Sequence, residues 1–257
     1  MATENAEHGG GGFAIDPMHQ FEIKTLFPMQ FGNIDASFTN SSLFMVLAVT
    51  VVTGLMLTGI NRRAMVPGRL QSIVELSYEF IANMLRDNVG TAGLRFFPLV
   101  FSLFMFILAC NLLGMVPYSF TVTSHIIVTF ALAFFIFIGV TILGFAVHGL
   151  GYLKFFVPHG VPVYLLPLVV PIEVVSYLTR PISLSVRLFA NMMAGHTVLK
   201  VFAGFVIALG AFGVAPGIVP LVFMVGLTGL EVLVAALQAY VFAILTCIHL
   251  NDALHMH

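Results

Sequence analysis

The chain carries long apolar runs that are almost free of charged residues, and a protein dissolved in water has no surface on which to place them. Hydrophobic residues make up 60% of the 257-residue sequence, whereas charged residues make up only 8%. The core of a bilayer is about 30 Å thick and is crossed by roughly 20 helical residues. Because lipid offers the backbone no hydrogen bonds, such spans must be helical. We therefore predict an all-α integral membrane protein.

About five apolar segments are long enough to be membrane helices. The first three, at residues 43–60, 96–117 and 125–147, have the length of ordinary upright spans. The last two, at 161–209 and 217–249, would extend roughly 73 Å and roughly 50 Å at a rise of about 1.5 Å per residue. Neither fits an upright crossing. We therefore expect a long, strongly tilted hairpin that packs against a partner within the membrane.

Prolines near the start of the fourth segment predict that it is not one straight helix. A proline in the interior of a helix removes one backbone hydrogen bond and clashes with the preceding turn. Pro162, Pro167 and Pro171 can divide the beginning of the segment into a re-entrant or surface piece. Pro181 predicts one further interruption. The fourth segment is therefore expected to be a broken helix.

The distribution of arginine predicts the orientation of the chain. Residues 61–95 contain five arginines against three acidic residues, the strongest basic excess in the sequence. Basic loops tend to stay on the cytoplasmic side. Residues 1–40 are therefore expected to form an extracytoplasmic tail with an amphipathic segment, and residues 41–257 a single transmembrane domain. Counting the crossings returns the C-terminus to the cytoplasm.

Ionisable residues are concentrated in the last two segments, whereas the interiors of the first three spans contain almost none. A charge near the centre of the bilayer costs about 2.5 to 3.5 kcal/mol, so such residues usually pair, line a cavity or face water. This asymmetry places the function in the hairpin. The residues are Glu173, Arg180, Arg187, His196, Lys200, Glu231 and His249.

A polar stripe is predicted along the fourth segment. Glu173, Arg180 and Arg187 are spaced seven residues apart. At about 100° per residue, each step of seven drifts only about 20° around a helix, so the three share one face. Ser176 and Asn191 lie near the same stripe. In lipid, such a line of polar side chains needs a polar counterpart.

The last segment supplies a second stripe. Glu231 and Gln238 are seven residues apart and His249 follows Glu231 by eighteen, so the three share a face. We expect this stripe to face the first one. His196 and Glu231, one from each helix, are predicted to form an imidazole and carboxylate pair that can pass a proton at neutral pH.

Some of these residues also fit a purely structural role. Arg180 and Lys200 would suit helix ends, from which long side chains reach the lipid headgroups. His249 would suit an interface position in the same way. Arg187 is harder to place like this, because its neighbours in sequence are apolar and no acidic residue is close to it in the sequence.

Two other classes of membrane protein share part of this pattern. A secondary transporter also uses broken, tilted helices with embedded charges but usually contains internal repeats, and no repeat relates the two halves of this sequence. A haem-binding respiratory subunit needs opposed histidines in the middle of neighbouring spans, which the sequence lacks. No Gly-rich loop ending in Gly-Lys-Ser or Gly-Lys-Thr is present, so ATP chemistry is expected on other chains.

Three motifs resemble those of one family. The segment at residues 181–196, PISLSVRLFANMMAGH, resembles the signature of the a subunit of F-type ATP synthases, in which Arg-Leu-Phe-x-Asn lies in the fourth of five membrane helices. The segment NLLGMVPY at residues 111–118 is similar to the end of that family's second span. The segment LQAYVF at residues 237–242 resembles the Leu-Gln-Ala motif of its last helix.

The resemblance implies a role for each candidate residue. In that family the arginine corresponding to Arg187 faces a rotating ring of c subunits, attracts the ionised ring carboxylate and separates two aqueous half-channels. The family places an acidic and a basic residue at the positions of His196 and Glu231, with the two types exchanged in some members. The implied residues of the uptake half-channel are Asn191, His196, Glu231 and Gln238, and those of the release half-channel are Glu173 and Ser176, with Arg180 and His249 as secondary candidates.

The resemblance also implies the partners and the location. The c-subunit ring, b-type subunits of the peripheral stalk, the remainder of the F1Fo complex and the lipid bilayer are the expected partners. Nucleic acid is not, because no basic patch interleaved with aromatic residues appears. No cofactor or metal is expected. The start of the chain has no Arg-rich presequence, which favours the bacterial inner (plasma) membrane over the mitochondrial inner membrane, the alternative.

Overall fold

The computed structural model of the chain describes residues 21–28, 30–31, 34–35, 37–61, 67–116, 119–157 and 163–255. The first 20 residues and Pro162, for which the sequence predicts a tail and a helix break, lie outside the described residues. Helices dominate the described part of the chain. The α-helices are α1 (Asn40–Asn61), α2 (Arg69–Val89), α3 (Phe97–Gly114), α4 (Ile126–His148), α5 (Leu166–Gly210) and α6 (Val214–Leu254).

Five helical stretches of the described chain are long and apolar enough to cross a membrane, which confirms the predicted fold class. Short 3₁₀ helices extend two of these stretches or lie between the α-helices, at Thr91–Phe96, Val122–Ser124, Gly149–Phe156 and Val163–Leu165. The five candidate spans are Asn40–Ile60, Thr91–Gly114, Ile126–Leu153, Leu166–Gly210 and Pro216–Leu254.

Helix α2 was not predicted, because it lies in the basic segment between the first two spans and carries no apolar run. Its apolar residues are instead spaced to form one helical face. Val74, Ile81, Leu85 and Val89 are buried on that face, and the exposed remainder carries charged residues together with apolar ones such as Leu76. The helix therefore packs one side against the bundle and is not one of the five candidate membrane spans.

Two short antiparallel pairs of strands precede α1 and depart from a purely helical fold. The sequence predicted an amphipathic segment in this region and gave no sign of strands. The pairs are β1 (Thr25–Phe27) with β4 (Phe38–Thr39), and β2 (Gln30–Phe31) with β3 (Ile34–Asp35).

Asn40 fastens this N-terminal segment to the start of α1. Its backbone N–H donates to the Lys24 carbonyl oxygen at 3.0 Å, and its side-chain amide donates to the Glu22 carbonyl oxygen at 3.1 Å. Its side-chain oxygen accepts from the Lys24 backbone N–H at 3.2 Å. These contacts fix the position of residues 22–24 relative to the membrane helices.

Helix α5 is continuous over 45 residues, with Pro171 and Pro181 inside it. The predicted division near Pro167 and Pro171 and the predicted interruption at Pro181 are therefore wrong. Pro167 lies in the first turn, where a missing N–H costs nothing. Pro181 is buried, and α5 packs against both α4 and α6. Packing of this kind, together with the strong preference of a membrane backbone for helix, outweighs the cost of an internal proline.

Helices α5 and α6 form the hairpin that the sequence predicts. Their 45 and 41 residues correspond to lengths of roughly 68 Å and roughly 62 Å, so neither can stand upright within a bilayer core of about 30 Å. The reversal between them is shorter than the gap between the predicted segments 161–209 and 217–249, because α6 already begins at Val214. Gly213, with φ of 141°, adopts a conformation there that other residues rarely reach.

The connection after α4 folds back against α4 and α5. Tyr152 is buried, and its hydroxyl group lies 3.1 Å from that of Tyr177 on α5. The Tyr177 hydroxyl is also 2.8 Å from Oγ1 of Thr141 on α4. The Tyr152 ring lies directly over Gly144, where a side chain would collide with it. This cluster holds α4 against the first half of α5.

Replacing Gly144 by alanine is expected to destabilise the bundle by about 1–3 kcal/mol, the usual cost of overpacking. A Cβ at this position would lie 2.6 Å from Cζ and 2.8 Å from Cδ2 of the rigid Tyr152 ring. Gly139→Ala on the same helix is the matched control, because its Cβ would meet no described atom within 4 Å. The measurement is the thermal inactivation of the assembled complex in membranes. Equal inactivation of the two variants would contradict the packing described for Tyr152.

Candidate functional site

An ionisable pair joins the two long helices inside the membrane domain. His196 on α5 and Glu231 on α6 lie with Nδ1 and Oε1 3.6 Å apart, and their side chains are only 10% and 5% exposed. The sequence predicted that these two side chains meet, and they do so in the structure. The predicted facing of the two stripes does not extend to Arg187, which is exposed. Carboxylate and imidazole groups at this separation can exchange a proton after a small movement or through one water molecule.

Gly195 makes room for the pair, and the side-chain amide of Asn111 holds α6 in place beside it. A Cβ on Gly195 would lie 2.6 Å from Oε1 of Glu231, so any larger residue would displace the carboxylate. One turn after Glu231, the Ala235 carbonyl oxygen accepts a hydrogen bond of 3.0 Å from Nδ2 of Asn111 on α3. Asn111 is fully buried. This bond fixes the height of α6 against α3.

The carboxylate of Glu231 lacks the partners that a purely structural ion pair would have. Neither of its oxygens accepts a hydrogen bond from the described part of the chain, and 3.6 Å to the imidazole is longer than a hydrogen bond. Buried carboxylates that serve stability are normally surrounded by donors. An acidic group without them is suited to gaining and losing a proton.

Thr121 also belongs to this site, and the sequence analysis missed it. Its Oγ1 lies 3.1 Å from Nε2 of His196, so the imidazole has a polar partner at each nitrogen. Thr121 belongs to the connection between α3 and α4, 75 residues away from His196 in sequence. The only sign in the sequence is that this connection is rich in serine and threonine. The ring of Phe21 approaches the His196 ring edge-on, with 6.4 Å between centroids.

Arg187 lies on the outer surface of α5. Its side chain is exposed, and it makes no hydrogen bond or ion pair with any residue among those the structure describes. The exposed residues around it on the same face are small, namely Ser183, Ala190 and Ala194. A guanidinium at membrane depth costs about 2.5 to 3.5 kcal/mol without a partner. The guanidinium is therefore open to water or to a partner from outside this chain.

Arg180 differs from Arg187, because it forms an ion pair within the chain. Its Nη1 lies 3.1 Å from Oδ2 of Asp252 near the end of α6, with side chains 26% and 32% exposed. The guanidinium also lies over the rings of Tyr177 and Phe155, at 5.5 Å and 6.0 Å from their centroids. The half-buried His249 is one turn before Asp252 on α6. Sequence reasoning did not single out Asp252, because it stands close to the C-terminus.

The remaining predicted residues lie on either side of Arg187 along α5. Glu173 is half-buried and Ser176 exposed, and both precede Arg187. Asn191 is half-buried and follows it by one turn, and Gln238 is buried on α6. At a rise of about 1.5 Å per residue, Glu173 lies roughly 21 Å before Arg187 along the helix, and His196 roughly 14 Å beyond it. The polar residues therefore fall into two groups, with Arg187 between them.

Gly195→Ala is expected to lower the rate of proton movement about tenfold, because the new Cβ would push the Glu231 carboxylate away from His196. The measurement is ATP-driven proton uptake by inverted membrane vesicles, the activity that the resemblance in sequence implies. Gly139→Ala is again a suitable control, since it adds the same methyl group where no described atom lies within 4 Å. Normal uptake by the Gly195 variant would show that the spacing of the pair is unimportant.

Fold and site together define a multi-pass helical membrane protein with an ionisable pair between two long helices and an exposed arginine that has no partner among the described residues. The comparison with known sequences agrees with this class. Residues 42–251 match the family model of the ATP synthase A chain. The chain therefore belongs to the ATP synthase A chain family.

Similar proteins extend the match over nearly the whole chain. The chain is 61% identical over 258 residues to the ATP synthase subunit a of Parvibaculum lavamentivorans, covering 99% of both chains. It is 63% identical over 244 residues to the protein of that name from Mesorhizobium japonicum, covering 94% of this chain and 97% of the relative. With the subunit of Sinorhizobium fredii the identity is 63% over 243 residues, covering 93% and 97%.

Proposed function

We propose that Arg187 is the fixed charge past which the membrane rotor of an ATP synthase turns, and that two groups of polar residues on α5 and α6 carry protons to and from that rotor. Membership of the ATP synthase A chain family makes this chain a proton-translocating subunit of the membrane sector. The observation that carries the proposal is the exposed guanidinium of Arg187, which has no partner among the described residues and lies among small exposed side chains on α5.

The partner of Arg187 is a ring of c subunits, each with one essential carboxylate. An ionised ring carboxylate is attracted to the guanidinium, and a protonated one is not. Ser183, Ala190 and Ala194 leave room for a neighbouring helix to come close to α5. Arginine suits this role better than lysine, because its guanidinium stays charged even when it is partly desolvated.

Protons reach the ring from the extracytoplasmic side by a path lined by Asn191, His196, Glu231 and Gln238. The buried contact between Glu231 and His196 lies on this path. A proton passes between the carboxyl group and the imidazole and then neutralises a ring carboxylate. Histidine can carry a proton at neutral pH because its ordinary pKa is close to 7.

Release to the cytoplasm takes place past Glu173 and Ser176. These residues lie on the other side of Arg187 along α5, so a ring carboxylate must turn almost a full circle between protonation and release. Arg180 and His249 belong to this side. The ion pair of Arg180 with Asp252 ties α5 to α6 there, which keeps the release path open at a fixed width.

Arg187 also prevents a direct leak between the two paths. A free proton moving along α5 from the His196 side to the Glu173 side would have to pass a permanent positive charge in a medium of low dielectric constant. Only a ring carboxylate, which is neutral when protonated, passes that point without a large electrostatic cost. Proton flow is thereby coupled to rotation.

The chain is embedded in the membrane as part of the F1Fo complex, and its relatives come from bacteria. We place it in the bacterial inner membrane, with the N-terminus outside and the C-terminus in the cytoplasm. The c ring contacts the Arg187 face of α5. The b-type subunits of the peripheral stalk hold the chain still, which a rotary mechanism requires of any stator.

Arg187→Ala is expected to reduce ATP-driven proton uptake by at least about 100-fold, the usual effect of removing a preorganised charge. Inverted vesicles with equal amounts of assembled complex are the test system. Arg69→Ala serves as the control, because Arg69 is exposed on α2, outside the five candidate spans. Retention of coupled uptake or of ATP synthesis by the Arg187 variant would overturn the proposal.

Replacing both members of the buried pair, as His196→Ala with Glu231→Ala, is expected to slow proton uptake about tenfold or more while ATP hydrolysis by the detached catalytic sector stays normal. The exchanged variant, His196→Glu with Glu231→His, should recover part of the rate, because it keeps one acid and one imidazole in contact. Full activity of the double alanine variant would place the uptake path elsewhere.

A further inference from the structure

The imidazole of His196 lies between two polar groups from different parts of the chain. Its Nδ1 is 3.6 Å from Oε1 of Glu231, and its Nε2 is 3.1 Å from Oγ1 of Thr121. A neutral imidazole carries one N–H, so one nitrogen is a donor and the other an acceptor. The partner of Nε2 therefore decides which nitrogen can accept a proton from Glu231.

The hydroxyl group of Thr121 already has an acceptor for its own hydrogen. The Gly114 carbonyl oxygen at the end of α3 lies 3.4 Å from Oγ1 and can only accept. When Thr121 donates to this carbonyl, its oxygen is left to accept from Nε2–H of His196. The lone pair of Nδ1 then faces Glu231.

Thr121 is held rigidly enough to accept a hydrogen bond from Nε2–H of His196. It is only 2% exposed, and its carbonyl oxygen accepts a 2.6 Å hydrogen bond from the Ser124 hydroxyl. Gly114 leaves the space that the threonine methyl group fills, since a Cβ there would lie 2.8 Å from Cγ2 of Thr121. The Ser119 hydroxyl lies 2.6 Å, 2.7 Å and 3.1 Å from the carbonyl oxygens of Val116, Leu113 and Gly114, so it also donates to the end of α3. The connection is thus pinned to the end of α3 beside His196.

We propose that Thr121 is a positioning residue that holds His196 as the Nε2–H tautomer, so that every proton exchanged with Glu231 is taken up and given back at Nδ1. The proposal rests on the uptake path described above. In the exchange, the O–H bond of the Glu231 carboxyl group breaks and an N–H bond forms at Nδ1, which leaves a carboxylate beside an imidazolium. The reverse step restores both neutral groups, and Nε2–H is unchanged throughout.

The charged groups around His196 do not themselves hold it as the Nε2–H tautomer. Glu231 faces Nδ1, and Lys200 lies one turn further along α5 within electrostatic range of the imidazole. A lysine ammonium group can donate hydrogen bonds but cannot accept one from Nε2–H. Phe21 presents only the edge of its ring. Thr121 is therefore the hydrogen-bond acceptor on the Nε2 side among the described residues.

The test compares three variants of the intact complex in inverted vesicles. Thr121→Val removes the hydroxyl group and keeps the shape, and is expected to slow ATP-driven proton uptake about tenfold, the effect of losing one hydrogen bond to an ionisable group. Thr121→Ser keeps the hydroxyl group and should retain most of the rate. Thr123→Val is the matched control, because Thr123 is equally buried and its hydroxyl makes no hydrogen bond within the described chain.

A second comparison separates positioning from a structural effect. In a His196→Ala background, Thr121→Val should cause no further loss, because the imidazole it acts on is gone. Equal losses in both backgrounds, or a normal rate for Thr121→Val, would overturn the proposal. Should the valine variant fail to assemble, Thr121→Ala provides the same comparison with no added bulk.

The same set of variants distinguishes this proposal from the one on which it rests. If His196→Ala alone pumps normally, the uptake path through His196 is wrong. If His196→Ala slows pumping and Thr121→Val does not, the path stands and only the role of Thr121 fails. Recovery of the rate by Thr121→Ser, with Thr123→Val unaffected, supports the positioning role.

Discussion

Close packing along α6 is the contact on which the rest of the structure depends. Ala235, Ala239, Ala243 and Cys247 recur every four residues and are completely buried, so neighbouring helices approach α6 along this line. Lipid is as apolar as the helices, and association therefore relies on van der Waals contact and interhelical hydrogen bonds. The small side chains of α6 allow close van der Waals contact, and the bond from Asn111 to α6 is an interhelical hydrogen bond. Only with this packing can His196 and Glu231 meet.

The protein treats its membrane charges in three different ways. His196 and Glu231 are buried against each other, an arrangement in which each can become neutral. Arg180 is paired with Asp252 in a half-exposed position and stacks on aromatic rings, which is stable and chemically quiet. Arg187 has no described partner within the chain and cannot become neutral. In the proposed mechanism another protein supplies the acid for this last residue, so the function depends on assembly.

The elements outside the five spans serve the same site. The connection between α3 and α4 brings Thr121 to His196, and the N-terminal strands, fastened at Asn40, bring Phe21 to the same ring. These connections are thus parts of the wall around His196.

Apolar run length is a local property, so the sequence was enough to predict the helical membrane fold and the long hairpin. The contact of His196 with Glu231 was predicted from their helices but depends on how those helices pack. The prediction failed at Pro181, where packing on both sides of α5 overrides the local cost of a proline. Helix α2 was also missed, because its apolar residues form one helical face and no continuous run. Thr121 and Asp252 meet their partners across 75 and 72 residues. Only the tertiary structure decided those contacts, since they depend on how separate helices are brought together.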